Sequence, residues 1–199
     1  MHVGNKPPWT LPAKAAYGKY DSARAKQYFN LPSMTTPSFF PILSLLPQRT
    51  LVYIKEAYPQ LFTTAFLAIF HAMWEKGLDV SKPELLSQVL ATQFNDSEVH
   101  TILEKGSSAA YKQRLSANTQ EALDRGAFGC PWFFVRNSKG EEEPFFGSDR
   151  YVSTSSRYFL AGVSVFGIAP VRGRGRRLNR AMRTMKHSER KEDLERGAR

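Results

Sequence analysis

The chain has 199 residues, 42% of them hydrophobic and 13% aromatic, with 28 Lys and Arg against 18 Asp and Glu and a formal net charge of +10. That length can bury the core of one domain, or of one domain with an insert, and the apolar content excludes a wholly disordered polyelectrolyte. The single cysteine excludes an internal disulfide framework, a CxxC redox pair and a multi-cysteine zinc cluster.

In chain order, the first twenty residues, with Gly4, Pro7, Pro8, Pro12 and Gly18, read as an extended loop. Asp21 then reads as the N-cap of a short helix to about Phe29, stopped by Asn30-Leu31-Pro32. The stretch from Pro37 to Leu46 is expected to be helical with Pro37 in its first turn, and helical pattern resumes over Thr50 to Tyr58 and Gln60 to Lys76. In the last of these, Phe62, Phe66, Ile69, Phe70 and Met73 share one stripe, read as core, and His71 among them reads as a satisfied core or groove histidine. Ser81 with Glu84 forms a capping-box pattern for the next helix. Helices over Asn95 to Glu104 and Ser108 to Arg125 should end at Gly106 and Gly126.

The texture then changes. Trp132 to Val135 and Glu143 to Phe146 read as two strands around the turn Asn137 to Gly140, an antiparallel hairpin. Ser148 and Asp149 read as caps of a helix over Arg150 to Leu160. No internal repeat and no spacing typical of a metal-ligand cluster occurs.

The charge is not spread evenly. From Val171 to Arg199 there are eleven basic and four acidic residues, a net of +7, which leaves +3 for the preceding 170. This tail reads as a disordered segment rather than a nucleic-acid or anionic-membrane binder, because it has no interleaved aromatics for stacking. The uncharged stretch Gln27 to Gln48 is broken by four prolines, and Ala57 to Trp74 contains Pro59, Gln60, two Thr and His71, so neither reads as a bilayer span. No targeting signal is readable.

Two stretches carry chemistry: Gly126-Ala127-Phe128-Gly129-Cys130-Pro131 and, after the hairpin, Phe146-Gly147-Ser148-Asp149-Arg150. A proline just before a strand leaves the preceding backbone free to pair with an extended ligand. Ser148 and Asp149 at a helix N-terminus would favour a carboxylate. A peptide-like thiol satisfies both features. Cys130 itself reads as a packing thiol, with a mixed disulfide as the other possibility.

These motifs in this order, preceded by Gly4-Asn5-Lys6-Pro7-Pro8 and Lys14, resemble kappa-class glutathione transferases, relatives of 2-hydroxychromene-2-carboxylate isomerase and DsbA, over about residues 3 to 165. The resemblance implies an α/β, thioredoxin-like (partial) fold with a large all-helical insertion domain. The segments would be 1–20, a remnant of the N-terminal thioredoxin half; 21–125, the helical insertion; 126–165, the C-terminal thioredoxin half; and 166–199, the basic tail. It implies a transferase that joins glutathione thiolate to an electrophile or reduces peroxides, with glutathione as co-substrate and no metal, acting as a homodimer in the mitochondrion or peroxisome. Asn5 and Lys14 would line the glutathione site, Lys14 facing the glycyl carboxylate. Cys130 would precede the cis-proline Pro131, where backbone pairs with the cysteinyl unit. Ser148 and Asp149 would hold the γ-glutamyl carboxylate and amine, and Arg150 would add electrostatic support.

The family's strand-helix-strand unit, whose serine contacts the glutathione sulfur, is expected to be missing ahead of Gly4. Without its strand, Trp132 to Val135 should expose an unpaired apolar edge. A non-catalytic interaction protein using the helical region and tail stays open as the alternative. A DsbA-type oxidoreductase is disfavoured by the lack of CxxC.

Overall fold

The computed structural model describes residues 6–136 and 139–147 together with the backbone of 163–165. Two compact units divide at Gly129 and Cys130. The first is helical and the second holds a small antiparallel sheet. The expected helix over Arg150 to Leu160 and the basic tail lie outside the described residues.

The first unit opens with a 3-10 turn, Pro8–Thr10, and then α1, Pro12–Tyr28. The extended loop expected over the first twenty residues is therefore corrected, as is the cap at Asp21, which lies inside α1. Pro12 occupies a first-turn position, where its fixed φ suits a helix and its missing N–H costs nothing. The end of α1 falls where the Asn30 breaker predicts. Asn30 takes φ 53° and its N–H donates to the Gln27 carbonyl at 3.2 Å, while the Leu31 N–H reaches the Lys26 carbonyl at 2.8 Å. This pair of bonds is a Schellman closure with asparagine in the left-handed position.

No helix forms over Pro37 to Ser44; α2 starts only at Leu45 and runs Leu45–Ala57. Pro41 accounts for this, because a residue before proline is pushed out of the α region. The remaining helices are α3 (Phe62–Trp74), α4 (Pro83–Leu90), α5 (Asp96–Ser107) and α6 (Ala109–Asp124). The capping box expected at Ser81 is absent. The Ser81 N–H and hydroxyl both turn back to Asp79 Oδ1, at 3.1 and 2.5 Å, and Lys82 becomes the cap position with Pro83 in the first turn. A full capping box occurs at α5 instead: Asn95 Oδ1 accepts from the Glu98 N–H at 3.0 Å, and the Asn95 N–H donates to Glu98 Oε2 at 2.9 Å.

Helix α2 is the hub of this unit, packing on α3, α5 and α6. Ile54, Leu86 and Ile102 are fully buried. Each such side chain contributes about 1.5–3 kcal/mol by leaving water. The expected α3 stripe divides: Phe62, Ile69 and Met73 are buried with Ala65 and Ala72, whereas Phe70 is 45% exposed and Phe66 half-buried. Ala65 and Ala72 thus take inward positions that a stripe of large residues alone does not reveal.

Helices α2 and α5 approach each other closely at Gly106. A Cβ on Gly106 would stand 2.6 Å from Thr50 Cγ2 and 3.2 Å from the Thr50 backbone nitrogen. Gly106 is accordingly not the helix terminator expected from sequence; α5 continues through it to Ser107. Thr50 is fully buried, and its hydroxyl is satisfied by the Pro47 carbonyl at 2.8 Å.

In the second unit, β1 (Trp132–Arg136) pairs antiparallel with β2 (Glu142–Phe146), as the hairpin reading predicts. A third strand, β3 (Val163–Val165), pairs antiparallel with the other side of β1, setting Phe133 opposite Val165 and Val135 opposite Val163. The sheet order is β2-β1-β3, so the apolar edge expected to be bare is covered. Three residues, two of them β-branched, suffice for a strand here but are too few to stand out as a periodic pattern.

Gly106→Ala should lower stability by about 1–3 kcal/mol through overpacking against Thr50. Gly18→Ala should instead leave stability unchanged or raise it by up to ~1 kcal/mol, because Gly18 sits inside α1 with nothing within 4 Å of its would-be Cβ. Urea unfolding of the two variants measures both signs.

Candidate functional site

Helix α6 delivers the chain to the first chemically marked stretch. Gly126, at φ 88°, closes α6: its N–H reaches the Leu123 carbonyl at 3.0 Å and the Ala127 N–H reaches the Ala122 carbonyl at 2.9 Å. A left-handed turn of this kind favours glycine, and Gly126 ends α6 as its sequence position predicts.

In the second unit the Cys130-Pro131 peptide is cis, and β1 begins at the next residue. Trp132 lies opposite Phe146 in the ladder, with ring centroids 6.3 Å apart, and Trp132 also meets Phe134 edge-on at 6.2 Å. One residue beyond Phe146, the Gly147 N–H donates to the Pro131 carbonyl at 3.0 Å. Gly147 takes φ 95°, a conformation that side chains disfavour. Pro131 and Gly147, flanking the paired ends of β1 and β2, are thereby tied together. Cys130 and Pro131 are exposed. Pro131 has no N–H and its carbonyl is taken by Gly147. Among the described residues, the N–H and carbonyl of Cys130 enter no backbone hydrogen bond.

Ser148, Asp149, Arg150 and Asn5 lie outside the described residues. Lys14 belongs to the first unit, where it stands exposed in the first turn of α1 rather than on a loop. His71 is not a core histidine: its side chain is 54% exposed, and Nδ1 lies 2.8 Å from Glu75 Oε1 one helical turn on.

A polar cluster that no motif signals joins α2 to α6. The Tyr111 hydroxyl donates to Glu56 Oε2 at 2.9 Å, and Arg114 Nε donates to Glu56 Oε1 at 2.9 Å. Around it runs an open groove of about 480 Å³ lined by Glu56, Ala110, Tyr111, Gln113, Arg114 and Ala117. Burial, reinforced by the Glu56 hydrogen bond and charge, pushes the Tyr111 hydroxyl up to about 12. Burial also pushes Tyr58 up, and it pulls Lys55 down against the opposing pull of Glu56 and Glu121. The rings of Tyr53 and Tyr111 meet edge-on at 5.4 Å, so the cluster sits against an aromatic wall. Both carboxylate oxygens of Glu56 are occupied by its own neighbours, which makes the cluster a brace between two helices. Glu56 and Arg114 are too far apart in sequence for a local pattern to join them.

No helix among the described residues is long and apolar enough to cross a membrane.

A cis-proline opening the hairpin of a small antiparallel sheet, in a chain whose other unit is helical, is consistent with a partial thioredoxin-like fold. The chain belongs to the DSBA-like thioredoxin domain family, whose profile matches residues 1–159. Among curated relatives it is similar to glutathione S-transferase kappa 1 of Caenorhabditis elegans, 28% identical over 153 residues that cover 74% of this chain and 67% of the relative. Glutathione S-transferase kappa 1 of Homo sapiens is 27% identical over 152 residues, with the same shares of 74% and 67%. Glutathione S-transferase kappa 2 of Caenorhabditis elegans is 28% identical over 148 residues, 72% of this chain and 65% of the relative. The match therefore spans about two thirds of these relatives' length.

Because the Tyr111 hydroxyl rises from the ordinary 10.0 to about 12 in the folded chain, its contribution to stability is complete below pH 10 and is lost as pH climbs through about 12. Ultraviolet titration of phenolate should show a step near pH 12, and Tyr111→Phe should remove it while the raised Tyr58 still ionises later than an ordinary tyrosine.

Proposed function

We propose that this chain is a glutathione transferase of the kappa type. It would hold glutathione in extended form and present its thiolate to a small electrophile, with peroxide reduction as a second outlet of the same nucleophile. The observation that carries the reading is the Gly147 to Pro131 hydrogen bond, because it joins one residue from each of the two stretches that the resemblance assigns to the peptide part of glutathione. Similarity to three kappa transferases over roughly three quarters of the chain supports it.

In this reading the Cys130 backbone, whose N–H and carbonyl enter no backbone hydrogen bond among the described residues, pairs with the cysteinyl unit as a short strand would. The cis-proline Pro131 supplies the corner, and its carbonyl serves the protein's own Gly147. Ser148 takes the γ-glutamyl carboxylate by hydroxyl and backbone N–H. Asp149 takes the γ-glutamyl amine as a charge-assisted bond, and Arg150 supports the carboxylate electrostatically. Asn5 and Lys14 are the remaining residues assigned to glutathione, Lys14 to its glycyl carboxylate. The cysteine sulfur of Cys130 has no role in the transfer. Stabilisation of the thiolate, the step that sets turnover, is assigned to no side chain of this sequence, so binding and turnover are separate questions.

Calorimetric titration with glutathione should give saturable binding to the 199-residue chain. Asp149→Ala should weaken it by about tenfold or more, the equivalent of one charge-assisted hydrogen bond. Absence of saturable binding, together with salt-sensitive association with polyanions, would instead favour a non-catalytic interaction protein that uses its basic tail.

A further inference from the structure

Between α1 and α2 the chain from Leu31 to Ser44 forms neither helix nor strand and contains no charged residue. It meets the region of α1 at both ends. Just ahead of α1, the Trp9 ring meets Phe40 edge-on at 5.1 Å, and in its last turn Lys26 Nζ donates to the Met34 carbonyl at 3.0 Å. The same segment is fixed to the end of α3. The Thr35 N–H donates to the Trp74 carbonyl at 2.7 Å, and the Phe40 and Trp74 rings lie 5.7 Å apart.

Although anchored in this way, the segment and its neighbours leave large apolar side chains in water: Leu43 is 73% exposed, Trp9 52% and Leu45 42%. A single exposed leucine needs no explanation, but several large apolar residues along one uncharged, anchored stretch do. The charge around them is of one sign. From Lys6 to Gln48 there are five basic residues and one acid, whereas Arg49 to Gly129 carries eight basic and nine acidic residues. Lys6, Lys14, Lys19 and Arg24 are all exposed, and Lys19 and Arg24 enter no ion pair among the described residues.

We propose that this part of the helical unit is a contact surface for an anionic lipid bilayer, with Trp9, Leu43 and Leu45 entering the interface and the nearby cations meeting lipid phosphates. Tryptophan favours the headgroup level, where one end of its ring is wet and the rest apolar. Exposed leucines gain by leaving water for the acyl boundary, and lysine and arginine keep their charged ends among the phosphates while their stems lie along apolar surface. Attraction to a negative leaflet adds over every cation within a Debye length of it. An irregular segment is tolerated at this depth, because headgroups and water satisfy its backbone. A nucleic acid would use the same cations but has no use for Leu43 and Leu45, since bases stack on rings. The surface is separate from the basic tail, and nothing in it depends on glutathione.

Cosedimentation of the full 199-residue chain with vesicles of mixed phosphatidylglycerol and phosphatidylcholine, against phosphatidylcholine alone, tests the surface with the tail intact in every variant. The expected result is binding to the anionic vesicles that Leu43→Asp weakens at least about tenfold, as does Lys19→Glu combined with Arg24→Glu. Brominated phosphatidylglycerol should quench tryptophan fluorescence, and Trp9→Phe should remove most of that quenching, because Trp74 is half-buried and Trp132 buried. Far-ultraviolet circular dichroism checks that each variant is folded. A chain that does not bind anionic vesicles overturns the proposal. Vesicle binding that either Leu43→Asp or the charge reversal leaves unchanged also overturns it, the tail then being the binder. So does loss of binding to a single-stranded oligonucleotide in both variants with vesicle binding kept, which would assign the surface to nucleic acid.

Discussion

The hydrogen bond from the Gly147 N–H to the Pro131 carbonyl is the constraint on which the functional reading depends. Fifteen residues of hairpin and turn separate its ends, yet it sets the last residue before Ser148 against the corner that follows Cys130. The hairpin register places Trp132 opposite Phe146, and the next residue on each side then falls within reach. Proline at one end and a left-handed glycine at the other are what that corner needs: one removes a competing donor, the other turns the chain back. Pairing of β1 on both sides holds the corner in place, with Trp132, Phe134 and Val135 buried.

The helical unit rests on a different constraint. At Gly106 the backbone of α5 comes close enough to Thr50 that a single methyl group does not fit. Such proximity lets α2 serve as a common wall for α3, α5 and α6, and it brings Glu56 within reach of Tyr111 and Arg114. The Thr50 hydroxyl would be costly at such a site without a partner, and the Pro47 carbonyl in the preceding turn provides one. The unit is thus held by a backbone approach at its centre and a polar brace nearer its surface.

Much of this is legible in the sequence, and the differences have either local or long-range causes. Gly126 as the end of α6, the hairpin, and the helices beyond Phe62 follow from turn chemistry and apolar spacing, which act over a few residues. Pro12 read as a loop residue because the same ring that breaks a helix interior also starts a helix, and only the chain after it decides. Ser81 lost its cap role to Asp79, a competitor two residues away with a stronger acceptor. The α3 stripe divides because Phe66 and Phe70 share the spacing of a core face while Ala65 and Ala72 do the inward packing. Of the candidate site, Cys130, Pro131 and the approach of Gly147 are described, whereas Lys14 moved from a loop to a helix turn. The Glu56 brace and the β3 pairing join residues far apart in sequence, and neither composition nor period carries that information.

The central claim is that glutathione lies along the Cys130 backbone and reaches the residues after Gly147. Amide NMR spectra of the ¹⁵N-labelled chain titrated with glutathione address it most directly. The account predicts saturable shifts that are largest at Cys130, Gly147, Ser148 and Asp149, with the amides of Tyr111 and Arg114 unmoved. Saturable shifts confined to the groove between α2 and α6, or no saturable shifts at all, would contradict it.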